Sequence, residues 1–116
     1  MPRTLSTYKG RYAFWATGFI TAVGSPPEPF AVVGRFKADG KGHIAGSQTR
    51  NFKGKIVRET FTETYTVNPD CTGNSQKTTS TGIKTKWDFV ISDKGNTILA
   101  IEADANNVVT IRARRM

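Results

Sequence analysis

Glu102 is the side chain in this sequence with the clearest capacity for proton-transfer chemistry. It alternates with Ile98 and Ala100, and side chains two residues apart share one face of a β-strand. If that face lines a core, Glu102 lies inside, where burial raises the pKa of a carboxyl and suits it to act as a general acid or base. The other placement is at the strand end in solvent. Glu102 is therefore the candidate catalytic residue, with both placements open.

Aromatic residues recur on strand faces that carry few charges. Such faces either fill a core or line a pocket for an apolar ligand, with Thr or Glu side chains to orient it. A solid core would exclude both catalysis and ligand carriage inside the fold. The residues expected to line a ligand cavity are Phe14, Phe36, Tyr65, Trp87 and Phe89.

Other catalytic and metal-binding patterns have little support. The single histidine, His43, and the single cysteine, Cys71, match no zinc-binding spacing. They could act in principle as base and nucleophile, but an exposed strand-edge histidine and a turn cysteine are the simpler interpretation. The glycine-rich run at residues 40–46 departs from the dinucleotide-binding spacing, and no helix follows it. We expect no metal and no cofactor.

Positive charge is concentrated in the first half of the chain. The 116 residues carry a net charge of +8, and residues 1–58 hold ten Lys or Arg against two acids, which is the whole excess. A basic surface attracts nucleic acid or anionic lipid, or it keeps a β-protein soluble and unpaired. Because side chains alternate between the two faces of a strand, Arg35 and Lys37 face away from Phe36. The same alternation is expected to scatter the basic side chains rather than gather them on one face. We therefore expect no specific nucleic-acid binding.

The hydrophobic pattern predicts an all-β fold. From Thr60 to Val67, threonine takes every even position, while Phe61 and Tyr65 share the other face, and a period of two is that of a strand. Gly, Asp and Asn turns separate about seven such runs, with hairpin signals at residues 39–42 and 93–96. Closure into a seven- or eight-stranded antiparallel up-and-down barrel would remove the exposed edges.

The strands are predicted at residues 8–19, 30–38, 43–52, 56–67, 84–92, 97–102 and 108–115, with a weak polar strand or loop at 75–82. The proline-rich residues 25–29 are expected to form a loop that breaks pairing, because proline lacks the backbone donor. The chain is then a single barrel domain over residues 1–116, with tails at 1–7 and 114–116.

Several features bear on location. No apolar run approaches the length that spans a bilayer, and the N-terminus lacks the pattern of an export signal. A single cysteine mildly favours a reducing compartment. A cytoplasmic location is expected, without excluding secretion after removal of a signal.

Five short motifs follow one another between residues 8 and 113. They are Gly10-x-Tyr12-x-Phe14, Pro29-Phe30-Ala31-x-x-Gly34, Asp39-Gly40-x-Gly42, Tyr65-Thr66-Val67-Asn68-x-Asp70-Cys71-Thr72-Gly73 and Trp87-Asp88-Phe89-Val90-Ile91. In this order they resemble the allene oxide cyclase-like, calycin-type barrel family of small bacterial and fungal proteins. The resemblance rests on turn and packing residues.

The resemblance implies an eight-stranded antiparallel barrel with a hydrophobic cavity and no cofactor, in a protein that forms a dimer or trimer. Trp15 and Phe19, on the strand face opposite Tyr12 and Phe14, agree with self-association because a barrel has only one inside. Enzymes of this kind fold a flexible substrate into a reactive shape, which is catalysis by proximity and orientation. No catalytic residue of the plant enzymes aligns with this chain.

The expected function is a cofactor-free cyclase or isomerase that binds an apolar small molecule of natural-product type in the barrel cavity. A carrier that binds such a molecule unchanged is the alternative, and a basic nucleic-acid-binding barrel is the third. An ionisable group aimed into an enclosed pocket would favour chemistry over carriage.

Overall fold

The computed structural model describes residues 5–21 and 26–116, and these form a closed eight-stranded antiparallel barrel. Each strand pairs with the next, and the last pairs back with the first. The predicted all-β barrel is confirmed. The strands are β1 (Lys9–Ile20), β2 (Glu28–Asp39), β3 (His43–Phe52), β4 (Lys55–Val67), β5 (Thr72–Thr79), β6 (Lys84–Ser92), β7 (Thr97–Glu102) and β8 (Val108–Arg115).

Helix is limited to two single 3₁₀ turns in the described ranges, at Leu5–Thr7 and Asp93–Gly95. Neither of these described turns has the length or apolar character of a membrane-spanning helix. The second turn joins β6 to β7, where a hairpin was predicted.

The hairpin between β2 and β3 is held by a carboxylate. Asp39 Oδ1 accepts hydrogen bonds from the backbone N–H groups of Lys41 (2.7 Å) and His43 (3.1 Å). These bonds, that of Lys41 foremost, lower the pKa of the Asp39 carboxyl. Gly40 and Gly42 have φ values of 75° and 104°, a region that other residues adopt at a cost. The hairpin predicted here is confirmed.

The proline-rich segment is partly strand, contrary to expectation. Glu28 and Pro29 belong to β2 and pair with Ile20 and Phe19 of β1. Pairing between β2 and β3 begins only at Phe30, so Pro29 lies beyond that ladder and its missing donor leaves no gap there. Ser25 falls outside the described residues.

β5 is a regular strand where the sequence suggested a weak strand or loop. It pairs with β4 and β6 along its length, with Lys77 opposite Glu63 on one side and Thr85 on the other. Its inward-facing residues are small or polar, including Ser75 and Thr79. The hydrophobic pattern therefore gave no signal for the strand.

Both predicted tails contain ordered structure. Arg115 lies in β8, and its Nη2 donates to the Lys9 carbonyl (2.6 Å) and the Tyr12 hydroxyl (3.2 Å). The prediction of a solvated tail was wrong for residues 114 and 115, because the β1–β8 pairing extends to Tyr12 and Arg115. At the other end, Leu5–Thr7 form a 3₁₀ turn, while residues 1–4 lie outside the described ranges.

Tyr8 fills one end of the barrel. Its ring is 5% exposed and packs against the rings of Tyr12, Phe36, Tyr65 and Phe89 at centroid distances of 4.8–6.1 Å. The Tyr65 hydroxyl donates to the Tyr8 carbonyl at 2.7 Å. The interior at this end, called the solid half below, is therefore filled apart from a void of about 30 Å³.

The outer face gathers positive charge on three adjacent strands. Arg11 pairs with Lys37, while Arg35 and Arg114 both lie beside Ala13. The expectation that alternation scatters these charges was wrong, because alternate residues of neighbouring strands all point out of the same barrel wall. None of the ion pairs within the described residues involves this set. The basic face consists of Lys9, Arg11, Arg35, Lys37, Arg112 and Arg114.

Apolar side chains form a second feature of the outer wall. Strand register places Val90 beside Leu99 and Phe19 beside Val108. Each of these side chains is about half exposed. The outer apolar stripe consists of Trp15, Phe19, Val90, Leu99, Ile101 and Val108.

Candidate functional site

A cavity of about 250 Å³ occupies the barrel half opposite Tyr8. Every strand contributes to its wall, and it lies at the end where β1 stops and β2 begins. Eight strands leave an interior that side chains can fill or that can hold one small ligand. Its apolar wall includes Phe14, Ala16, Phe30, Val32, Trp87 and Ile111.

The predicted lining residues divide between the two ends of the barrel. Phe14 and Trp87 line the cavity. Phe36, Tyr65 and Phe89 are buried in the solid half, where each packs against Tyr8. Side-chain alternation identifies the inner face of a strand but not which end of the barrel a residue such as Tyr8 will fill. The sequence alone therefore did not separate the cavity-lining residues from those packed against Tyr8.

Glu102 points into the barrel, as one of its two predicted placements required. It is 7% exposed, ends β7 beside Trp87 of β6, and lies in the cavity wall. Burial raises its pKa to about 7, although the hydrogen bond from Asn107 Nδ2 (2.8 Å) opposes the shift. A carboxyl with a pKa near neutrality can both give and take a proton, which is what general acid–base catalysis needs.

A buried anion on the facing wall was not predicted. Glu59 of β4 accepts hydrogen bonds from Gln48 Nε2 (2.8 Å), Arg50 Nε (2.7 Å) and Thr81 Oγ1 (2.6 Å). Burial alone would raise the pKa of Glu59, but the three hydrogen bonds and the Arg50 charge outweigh it and lower the pKa. Glu59 is thus a fixed negative charge with its oxygens satisfied. Because β3 looked polar on both faces, its sequence gave no sign of this network.

Lys77 is the second unpredicted group. It is 7% exposed, lines the cavity, and donates a hydrogen bond from Nζ to Gln48 Oε1. Its Nζ lies 4.1 Å from the Phe61 ring centroid and 5.3 Å from that of Phe14. Burial lowers the pKa of Lys77, against the opposing charges of Glu63 and other carboxyls. The alternation of β5 would have placed Lys77 inside, had β5 been recognised as a strand.

Glu63 adds a second carboxyl close to the amine. It lies opposite Lys77 in the β4–β5 ladder. Burial raises its pKa, while the charge of Lys77 and a hydrogen bond with Ser75 act in the other direction. The interior therefore holds one ionised carboxylate and two carboxyls with raised pKa values around a single buried amine.

The His43 and Cys71 pair is remote from the cavity. His43 is exposed and contacts Asp39 at 3.5 Å, while Cys71 lies in the turn between β4 and β5, both at the Tyr8 end. Within the described ranges, no group of three or more His, Cys, Asp or Glu could hold a metal ion.

Comparison of the chain with protein-family models gave no match. A search of curated proteins also gave no match.

We predict that Glu102→Gln changes how stability depends on pH. The folded pKa of about 7 exceeds the ordinary 4.5, so between these values the folded chain holds a proton that the unfolded chain has released. The free energy of unfolding then falls as pH rises through this window. After allowance for water in an open cavity, wild type should lose about 1–2 kcal/mol that the variant retains.

Urea unfolding at pH values below and above this window measures the effect. Asp88→Asn, on the exposed face of β6, is the matched control and should follow wild type. Parallel pH profiles for wild type and Glu102→Gln would contradict the assignment.

Proposed function

We propose that this barrel is a cofactor-free cyclase or isomerase that acts on an apolar small molecule in its cavity. The observation that carries the proposal is the placement of Glu102, a buried carboxyl with a pKa of about 7, in the wall of a largely apolar cavity. Ring closure and double-bond migration require a proton to be added at one atom and removed at another. A carboxyl that exchanges its proton near neutral pH can do both.

The apolar side chains of the cavity wall also support the proposal, because they give the cavity a defined shape. Phe14 and Trp87 contribute aromatic faces from opposite parts of the barrel, and both belong to strands that are paired on each side. A rigid apolar wall can select one folded conformation of a flexible substrate, which lowers the barrier by orientation. The motif resemblance to allene oxide cyclase-like barrels supports the same class, and with it a natural-product substrate.

A carrier is the alternative, since the same cavity could hold a ligand without changing it. The feature that separates the two is Glu102. A carrier gains nothing from a carboxyl whose pKa burial has raised, because desolvating that group destabilises the fold. An enzyme gains the proton-transfer group.

We predict that Trp87→Ala weakens binding of the apolar fluorescent probe N-phenyl-1-naphthylamine about tenfold, the equivalent of 1.4 kcal/mol for a lost ring contact. Trp15→Ala is a matched control, because Trp15 is 55% exposed on the outer wall. Fluorescence titration measures both. Unchanged binding by folded Trp87→Ala would remove Trp87 from the binding site.

Catalysis is tested on the natural ligand. Compounds retained from an apolar metabolite extract are identified by mass spectrometry and followed over time with wild type and Glu102→Gln. The variant should bind them but convert them about 100-fold more slowly, as expected for loss of a general acid–base group. Compounds that wild type returns unchanged would favour the carrier.

Nucleic-acid binding is a second candidate because the basic face adjoins an exposed aromatic ring. Trp15 pairs in register with Arg112 and could stack on a base while neighbouring cations contact phosphates. We expect only weak association that falls steeply with salt, since Trp15 is paired with a residue of the basic face, whereas the other exposed ring of β1, Phe19, lies beside the apolar Val108. Binding of labelled single-stranded DNA below micromolar concentration at physiological salt, lost in Arg35→Ala/Lys37→Ala, would make this the function instead.

We also propose that the protein forms a homo-oligomer, a dimer or trimer, through the outer apolar stripe. Exposed apolar side chains that lie beside one another mark interaction surfaces, as Val90 and Leu99 do on β6 and β7, and Phe19 and Val108 on β1 and β8. Arg112 lies between Leu99 and Trp15 in the stripe. Leu99→Lys/Ile101→Lys should dissociate the assembly, whereas Thr62→Lys on the polar outer face of β4 should not. Sedimentation velocity distinguishes them. A single 12.7 kDa species for wild type at micromolar concentration would contradict the proposal.

A further inference from the structure

We infer that Lys77 is a carbonyl-capturing amine, so that the substrate is an apolar aldehyde or ketone held in the cavity as an imine. The inference rests on the proposed function and narrows its substrate class. It starts from an amine that lies inside the barrel and yet in the wall of a cavity large enough for a small ligand.

Among the described residues, Lys77 has no carboxylate within ion-pair distance, although Glu63 lies opposite it in the β4–β5 ladder and its charge opposes the lowering of the Lys77 pKa. The Lys77 Nζ donates to the neutral amide oxygen of Gln48 and lies near the rings of Phe61 and Phe14. The nearest firmly ionised acid, Glu59, is already bound by Arg50 and two other donors.

This environment favours a reactive amine. An ammonium carries three donors, and a buried charge with a single neutral hydrogen-bond partner is poorly solvated. Burial accordingly lowers the pKa of Lys77. A desolvated lysine keeps the lone pair that nucleophilic attack on a carbonyl requires.

The aromatic rings suit the product of that attack. A protonated imine carries the positive charge on the same nitrogen, within reach of the faces of Phe61 and Phe14. Ring faces stabilise a desolvated cation. The same rings lie as close to the nitrogen before reaction, so they stabilise its cation in both states, and it is burial, which lowers the pKa of Lys77, that favours the neutral amine needed for attack.

The bond changes balance without any further reactant. The Lys77 lone pair forms a C–N bond to the carbonyl carbon, and the C=O π electrons move to oxygen, which takes a proton as nitrogen loses one. The resulting hydroxyl leaves as water when the Glu102 carboxyl protonates it, giving a protonated imine, C=NH⁺, and a Glu102 carboxylate. That carboxylate can remove a proton from the adjacent carbon to give an enamine, and the reverse steps with one water release the rearranged carbonyl compound.

We assign both proton transfers to Glu102. It lines the same cavity as Lys77, and each group shifts the other's pKa through its charge. Asn107 holds one carboxyl oxygen at 2.8 Å, so the carboxyl has a fixed orientation. Proton removal next to an iminium carbon is the step on which isomerisation and ring closure of carbonyl compounds depend.

The test is reductive trapping with cinnamaldehyde, an apolar aldehyde with one ring. The protein is incubated with the probe and sodium cyanoborohydride, and the adduct mass and modified peptide are found by mass spectrometry. We expect one adduct, equal to the aldehyde less one water plus two hydrogens, on Lys77. It should form about tenfold faster than on any exposed lysine, since burial lowers the pKa of Lys77 and favours its nucleophilic form.

Variants supply the controls. Lys77→Arg should abolish the fast adduct, and Lys77→Met is the second variant if the first fails to fold; Lys86→Arg, on the exposed face of β6, should keep it. Probe binding is followed separately by quenching of Trp87 fluorescence in Trp15→Phe. Quenching without fast trapping at Lys77 overturns the imine and leaves the proposed function standing. Absence of both quenching and trapping overturns the two together.

Discussion

Pairing of β8 with β1 is the constraint on which the rest of this molecule depends. The ladder from Tyr12 and Arg115 to Phe19 and Val108 turns a meander into a closed wall, and only a closed wall has an inside. In the closed barrel, successive side chains of each strand point alternately into the interior and out to solvent. The buried amine, the cavity and the basic face all follow from that division.

The interior is then divided along its length by a single side chain. Tyr8 enters from the segment before β1 and completes an aromatic cluster with Tyr65 and Phe89. Packing there is tight enough that a Cβ on Gly46 would approach Phe36 Cβ and Phe61 Cζ to 2.7 Å. Aromatic packing around Tyr8 thus fills one end of the barrel, while the cavity occupies the other.

Hydrophobic alternation and turn chemistry predicted much of the fold. The bounds of β3, β6 and β7 agree with prediction because hairpin residues mark where each begins or ends. β5 was predicted only as a weak polar strand or loop at residues 75–82, since Ser75, Lys77 and Thr79 on its inner face give no hydrophobic alternation. Its polar face is tolerated only because partners on β3 and β4 satisfy it, and those partners come from distant parts of the sequence.

The candidate site was predictable only in part for the same reason. Glu102 could be found because Ile98 and Ala100 share its face, whereas Glu59 and Lys77 lie in runs where polar residues occupy both faces. Phe36 was assigned correctly to the interior, but its distance from the cavity depends on Tyr8. Which end of a barrel is filled is a property of the assembled interior rather than of any one strand.

One amide governs the charge state of the interior. Gln48 donates through Nε2 to Glu59 and accepts through Oε1 from Lys77. Because one partner only accepts and the other only donates, the orientation of the amide is fixed. The Gln48 amide lies between the Glu59 carboxylate and the Lys77 amine and keeps them from forming a direct ion pair. Exchange of that one nitrogen for oxygen, as in deamidation to glutamate, would place a carboxylate against Lys77 and hold it as an ammonium. On the proposed imine chemistry, this exchange at a single buried atom would remove the reactive form of Lys77.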